Sequence, residues 1–136
     1  MKNNLISKIE NAISVNNNDQ LQYLLDELEL ININQDYVDI LNQLLLNKNH
    51  KSHQFISKRI QTLKSPTSIP YIEKVLQSNF DYLQYTCSND DVIAKWFSHA
   101  LSEIGTKKAI NLIEKYSNSE NELIKKEMIY RLSKMV

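Results

Sequence analysis

Apolar residues recur along this chain at the spacing of a helix, not of a strand. In DDVIAKWFSHALSEIGTKKAINLI, residues 90–113, Ile93, Phe97, Ala100, Leu101 and Ile104 follow one another so as to line one face. Gly105 then supplies a left-handed stop and Thr106 a cap, and Ala109, Ile110, Leu112 and Ile113 make the apolar side of a second helix. Similar patterning predicts helices at about 1–15, 19–31, 36–47 and 120–135, with a further pair inside 52–77. Leu5, Ile6, Ile9, Ala12 and Ile13 would cover the outer side of the first pair. Ser65 suits a cap and Pro66 a first helical position, while Pro70 falls beyond the free amides and starts the helix late or tilts it. One glycine and two prolines leave little material for hairpin turns, and no run alternates as a strand does. The predicted fold class is all-α, one domain, about eight helices.

A helical hairpin of this kind cannot bury its own apolar faces and needs neighbours stacked on both sides. The 90–113 stretch resembles the short bacterial HEAT-like repeat, whose pattern is matched by Asp90, Ile93, Ala100-Leu101, Ile104-Gly105, Thr106 and Ala109. It departs from that pattern at Ala94, where arginine is usual, and at Phe97, where alanine is usual. The register extends from Leu101 to Leu132, 31 residues on, and back to Ile60 and Leu28 at steps of 41 and 32. The long step contains QSNFDYLQYTCS, read as an inserted turn or helix extension. The resemblance implies a right-handed α-solenoid of HEAT-like hairpins filling 1–136. Residues 1–15 and 120–135 would be capping helices, and about 19–47, 52–77 and 90–116 helical pairs.

Charge changes this picture only locally. Sixteen basic and sixteen acidic residues cancel over the chain. Residues 1–40 nonetheless carry seven acids against Lys2 and Lys8, five net negative. Residues 41–68 carry Lys48, Lys51, Lys58, Arg59 and Lys64 with no acid. A solvated repeat surface accounts for such runs. As a site, Asp26, Glu27, Glu29, Asp36 and Asp39 would form an acidic patch for a basic partner, because complementary charge speeds encounter and excludes wrong partners.

The chemistry for catalysis is thin, and neither an enzyme nor a cofactor is expected. A single glycine excludes Gly-rich phosphate loops. His50 and His53 are three apart, but no carboxylate or cysteine completes a metal set nearby; they read as exposed residues of a Lys-rich connector, charged below about pH 6.5. His99 reads as partly buried beside Trp96, and the lone Cys87 as a buried structural thiol that needs no oxidising compartment. The group Tyr71, Phe80, Tyr82, Tyr85, Trp96 and Phe97 reads as core, with Tyr82 and Tyr85 projecting as anchors in the alternative. No signal-peptide core or membrane span is visible, which makes cytoplasm the default.

Small Asn/Ile/Lys-rich chains of this type are also similar to the HEAT-like immunity proteins of contact-dependent and polymorphic toxin systems, which bind a cognate toxin domain and block it. That resemblance implies a non-catalytic protein-binding module in a bacterium, its partner a basic toxin domain, possibly a nuclease. Asp26, Glu27, Glu29, Asp36 and Asp39 are its first candidate site, with Tyr82, Tyr85, Lys108 and Asn111 the second. The alternatives are an adaptor or regulatory subunit and, from another class, a nucleic-acid-binding or DNA-glycosylase-type protein using the 48–64 lysines and Arg59. The second is disfavoured because no continuous phosphate-tracking stripe is present.

Overall fold

The computed structural model describes residues 2–31 and 34–135. Met1, residues 32 and 33 within the expected 19–47 pair, and Val136 lie outside the described residues. The described chain is helical throughout, without strands: α1 Lys2–Ser14, α2 Asn18–Ile31, α3 Gln35–Leu46, α4 His53–Leu63, α5 Ile69–Gln77, α6 Asp90–Ile104, α7 Lys107–Tyr116 and α8 Glu122–Lys134. Short 3-10 segments fill Pro66–Ser68 and Asp81–Thr86. The all-α expectation therefore holds.

Local signals set these boundaries. The Asn34 side chain accepts from the Asp36 and Tyr37 amides at 3.0 and 3.3 Å and so starts α3. Asn121 does the same for α8 through the Leu123 and Ile124 amides. Gly105 ends α6 at φ 69, its N–H bonded to the Leu101 carbonyl, and Thr106 caps α7 through the Ala109 amide. Ser65 caps a 3-10 turn begun by Pro66, and the α-helix proper starts only at Ile69. The second proline explains the delay, since a ring at position 70 cannot donate to an earlier carbonyl.

The helices pack in two series. α4 contacts α6 and α6 contacts α8; α3 contacts α5 and α5 contacts α7. Cross-contacts α3–α4, α6–α7 and α7–α8 join the series, and α1 lies on α2. One core runs continuously from Ile9 through Leu25, Leu41, Ile60 and Ile72 to Leu101, Ile113 and Met128. Each fully buried Leu or Ile contributes roughly 1.5–3 kcal/mol relative to exposure. Phe80 and Leu83 of the inserted segment belong to this core, so the insertion is packed and not a loose loop.

Candidate partner-binding faces

Leu21, Leu24, Leu25 and Leu28 turn one side of α2 into the core, which forces Asp19, Tyr23, Asp26 and Leu30 to the opposite side. Tyr23 is 58% exposed and Leu30 88%, both large for a surface. The sequence pattern identified the acids here but not these two apolar residues. Their signal was present: they sit seven apart, out of phase with the leucines.

The five predicted acids do not form one uniform patch. Arg59 of α4 reaches back to α2, pairing with Asp26 and with Glu29, the latter at 3.1 Å. Glu27 is half-buried and the Asp39 carboxylate accepts from Gln35 at 2.8 Å. Asp36 lies in the first turn of α3, where a carboxylate faces the positive end of the helix. Beneath these groups Tyr37 is buried, its hydroxyl without a hydrogen-bond partner among the described residues. Burial first, and then the Glu29 charge, push its phenol up to about 12.

The basic stretch is dispersed in the same way. Arg59 belongs to the acidic cluster and Lys64 pairs with Glu103 at 3.2 Å. Lys48 and Lys51 lie over the Tyr82 and Tyr85 rings, 5.8 and 4.6 Å from their centroids. These placements break up the stripe that a nucleic-acid reading would use.

The histidine expectation is corrected. His50 and His53 are buried, their rings stacked 4.0 Å apart between centroids. His50 Nε2 donates to the Leu44 carbonyl at 2.6 Å while its Nδ1 accepts from the Ser52 amide at 3.0 Å. His53 Nε2 donates to the Asn47 carbonyl at 2.7 Å, and its Nδ1 accepts from the Tyr85 hydroxyl at 2.6 Å. That hydroxyl in turn accepts the His53 backbone N–H at 2.9 Å. The pattern is complete only for two neutral rings, each protonated at Nε2. Burial lowers the His50 pKa; burial, then the neighbouring His50, takes His53 down to about 4. An exposed, chargeable connector is therefore replaced by a neutral structural pair. Sequence gave no sign that the two carbonyls at the end of α3 need donors.

Tyr82 and Tyr85 do not project either. Tyr82 donates to the Leu45 carbonyl at 2.8 Å, Tyr85 is held by His53, and burial raises both phenol pKa values. The core reading of these tyrosines replaces the anchor reading. Cys87 is a second correction: it is exposed, at φ 57 on the turn before α6, and not a buried thiol. Of the remaining candidates, Lys108 and Asn111 are exposed on α7. With Ile69, Pro70, Glu73, Leu112 and Lys115 they line a shallow groove of about 320 Å³ between α5 and α7, spanned by a Glu73–Lys115 pair at 3.1 Å.

A third face was missed entirely. Leu123 and Tyr130 of α8 are 43% and 49% exposed, and Lys126 lies between them. With Asp91, Lys95 and Glu127 they line a groove of about 310 Å³ between α6 and α8. Glu127 is held in place from behind: Ser98 donates to it at 2.7 Å, and Arg131 donates to it at 3.4 Å and to His99 at 2.9 Å. His99 is thus half-buried, as expected, but tied to Arg131, and burial with that cation lowers its pKa. No helix among the described residues is long and apolar enough to cross a membrane. No family model, curated protein or solved structure matches the chain.

Proposed function

We propose that the chain is a non-catalytic protein-binding module. On this reading its two helix series form a right-handed α-solenoid of HEAT-like hairpins, and the outer face of α2 is the principal contact surface. The observation that carries it is the combination on α2 of acidic side chains with exposed Tyr23 and Leu30, since an interface needs large apolar anchors as well as steering charge. Asp26 and Glu29, held by Arg59, supply a fixed polar rim, and Asp19 and Glu27 supply charge without an ion-pair partner among the described residues. The partner of this face is a basic protein surface. The family resemblance makes that partner a toxin domain and the chain its cytoplasmic immunity protein.

The test is a pull-down, with the purified chain, from a lysate expressing the product of the adjacent upstream gene, followed by binding measurements on the isolated pair; a product that does not bind would overturn the toxin reading. Replacing Asp19, Asp26, Glu27 and Asp36 with Asn or Gln should slow association and flatten its salt dependence while helical circular dichroism is retained. Tyr23→Ala should raise the dissociation rate, with a loss on the order of 1–2 kcal/mol if the ring is an anchor. Unchanged affinity and salt slope in both variants would remove the α2 face from the interface and move attention to the α5–α7 groove.

A further inference from the structure

We infer that the outer face of α8 is the docking site for α2 of a second copy of this chain, in a head-to-tail contact. The two faces match residue for residue. Going up α2, the exposed Asp19, Tyr23 and Leu30 and the half-buried Glu27 make one stripe, at steps of four, four and three. Going down α8, the corresponding positions are Lys134, Tyr130, Lys126 and Leu123, at the same steps. Antiparallel helices in one register therefore set Asp19 against Lys134, Tyr23 against Tyr130, Glu27 against Lys126 and Leu30 against Leu123. Both ionic pairs are of opposite sign and both apolar positions meet apolar ones.

The charges are free to do this. Among the described residues Asp19 and Glu27 have no ion-pair partner, and Lys126 and Lys134 have no carboxylate partner. Lys134 lies 5.5 Å from the Tyr130 ring centroid, inside the proposed contact. The helices also differ in sign as wholes: α2 has Asp19, Asp26, Glu27 and Glu29 with no base, while α8 has four bases against Glu122 and Glu127. An antiparallel pairing of α2 with α2 would instead set Asp19 against Leu30 and Glu27 against Tyr23, and would bring together two helices that carry acids and no base. The groove between α6 and α8, with Tyr130 and Leu123 on its wall, gives the incoming Tyr23 ring a concave seat. A net charge of zero removes the long-range repulsion that keeps many proteins apart.

Because donor and acceptor faces are different surfaces, the contact is heterologous and builds chains or rings, not a closed twofold dimer. A single helix pair is small for an interface, so the association belongs to the weak class. It uses the α2 face assigned above to a foreign partner, but it needs no such partner. Purified protein alone therefore tests it, and its failure leaves the partner reading standing.

Sedimentation velocity of the full chain from roughly 10 to 1,000 μM, at low salt, should show the average mass rising at least about twofold. Salt near 0.5 M should reverse much of that rise, because exposed pairs are screened within a few ångströms. Leu30→Lys blocks the α2 face and Leu123→Lys the α8 face; each variant alone should stay monomeric, and a one-to-one mixture should stop at a dimer, because the two blocked faces carry like charges. Glu27→Lys and Lys126→Glu should each weaken self-association at least about fivefold, and mixing the two should restore a pair. Leu30, Leu123 and Lys126 are exposed and Glu27 is half-buried, and circular dichroism checks the fold of each variant. A monomer at the highest concentration, association by Leu123→Lys alone, or no dimer in the mixture would each overturn the assignment.

Discussion

The junctions α6–α7 and α3–α4 perform the same task, ending one helix and starting the next, by opposite means. At α6–α7 only Gly105 and Thr106 intervene: a left-handed glycine closes the last turn onto Leu101 and a hydroxyl opens the next helix. At α3–α4 six residues intervene and no glycine is available. There the Leu44 and Asn47 carbonyls accept hydrogen bonds from the Nε2–H groups of His50 and His53, and Tyr85, 32 residues beyond His53, completes the bonding of that ring. A left-handed backbone with one local hydroxyl cap solves the first junction, and histidine hydrogen bonds, one set completed from across the fold, solve the second. The second solution is conditional on protonation state, and the first is not.

The largest effect that separates them is predicted at Leu101, which is fully buried and whose carbonyl receives the Gly105 N–H. Leu101→Ala should cost on the order of 2–5 kcal/mol in chemical denaturation, from lost burial and the cavity left behind. The glycine junction would then rest on the core beneath it as much as on its own geometry. A loss below roughly 0.5 kcal/mol, typical of surface positions, would show that the α6–α7 hairpin is not anchored there.

The same contrast explains what sequence could and could not reveal. Gly105, Thr106 and Ser65 act within four residues of themselves and were legible from local spacing, whereas the Asn34 and Asn121 caps, equally local, were seen only in the structure. His50 and His53 act through partners set by tertiary packing, and a His-x-x-His spacing looks the same exposed or buried. Tyr82 and Tyr85 were ambiguous for the same reason. The acids of α2 were legible as charge, but the capture of Asp26 and Glu29 by Arg59, about 30 residues away, was not. Tyr23, Leu30, Leu123 and Tyr130 were missed because an amphipathic count rewards apolar residues on the core face and ignores those off it.

The next effect is acid sensitivity centred on the α3–α4 junction, with His99 of α6 acting in the same direction. His53 binds a proton at about 4 when folded and near its ordinary value when unfolded, and His50 shifts in the same direction. Between those values the unfolded chain holds more protons, so stability is complete above about pH 6.5 and falls as pH drops toward 4. His53 alone should account for on the order of 3 kcal/mol by the bottom of that window. Urea midpoints between pH 6.5 and 5 report on these histidines, since most carboxylates titrate lower. Tyr85→Phe should reduce stability by about 1–3 kcal/mol at pH 7, because the His53 amide and Nδ1 lose their shared partner. A midpoint flat across the window would mean that the rings are not held neutral.

The smallest effect tests whether the glycine junction is conformational at all. A β-carbon at Gly105 would sit 3.5 Å from the Ser102 carbonyl oxygen, an ordinary contact, so crowding is not the obstacle. The φ of 69 is, because an L-residue held there is strained by roughly 1–2 kcal/mol. Gly105→Ala should lose about that much, and Gly105→Val more, since a branched side chain fits a left-handed turn worst. The end of α4 supplies the internal control: Lys64 occupies the same conformation at φ 55 without being glycine. Lys64→Gly should relieve that strain and gain up to about 1 kcal/mol, offset only slightly by loss of the exposed Glu103 pair. Opposite signs at the two positions would establish backbone conformation as the shared term, whereas a loss at both would point to side-chain packing of Lys64 in its place.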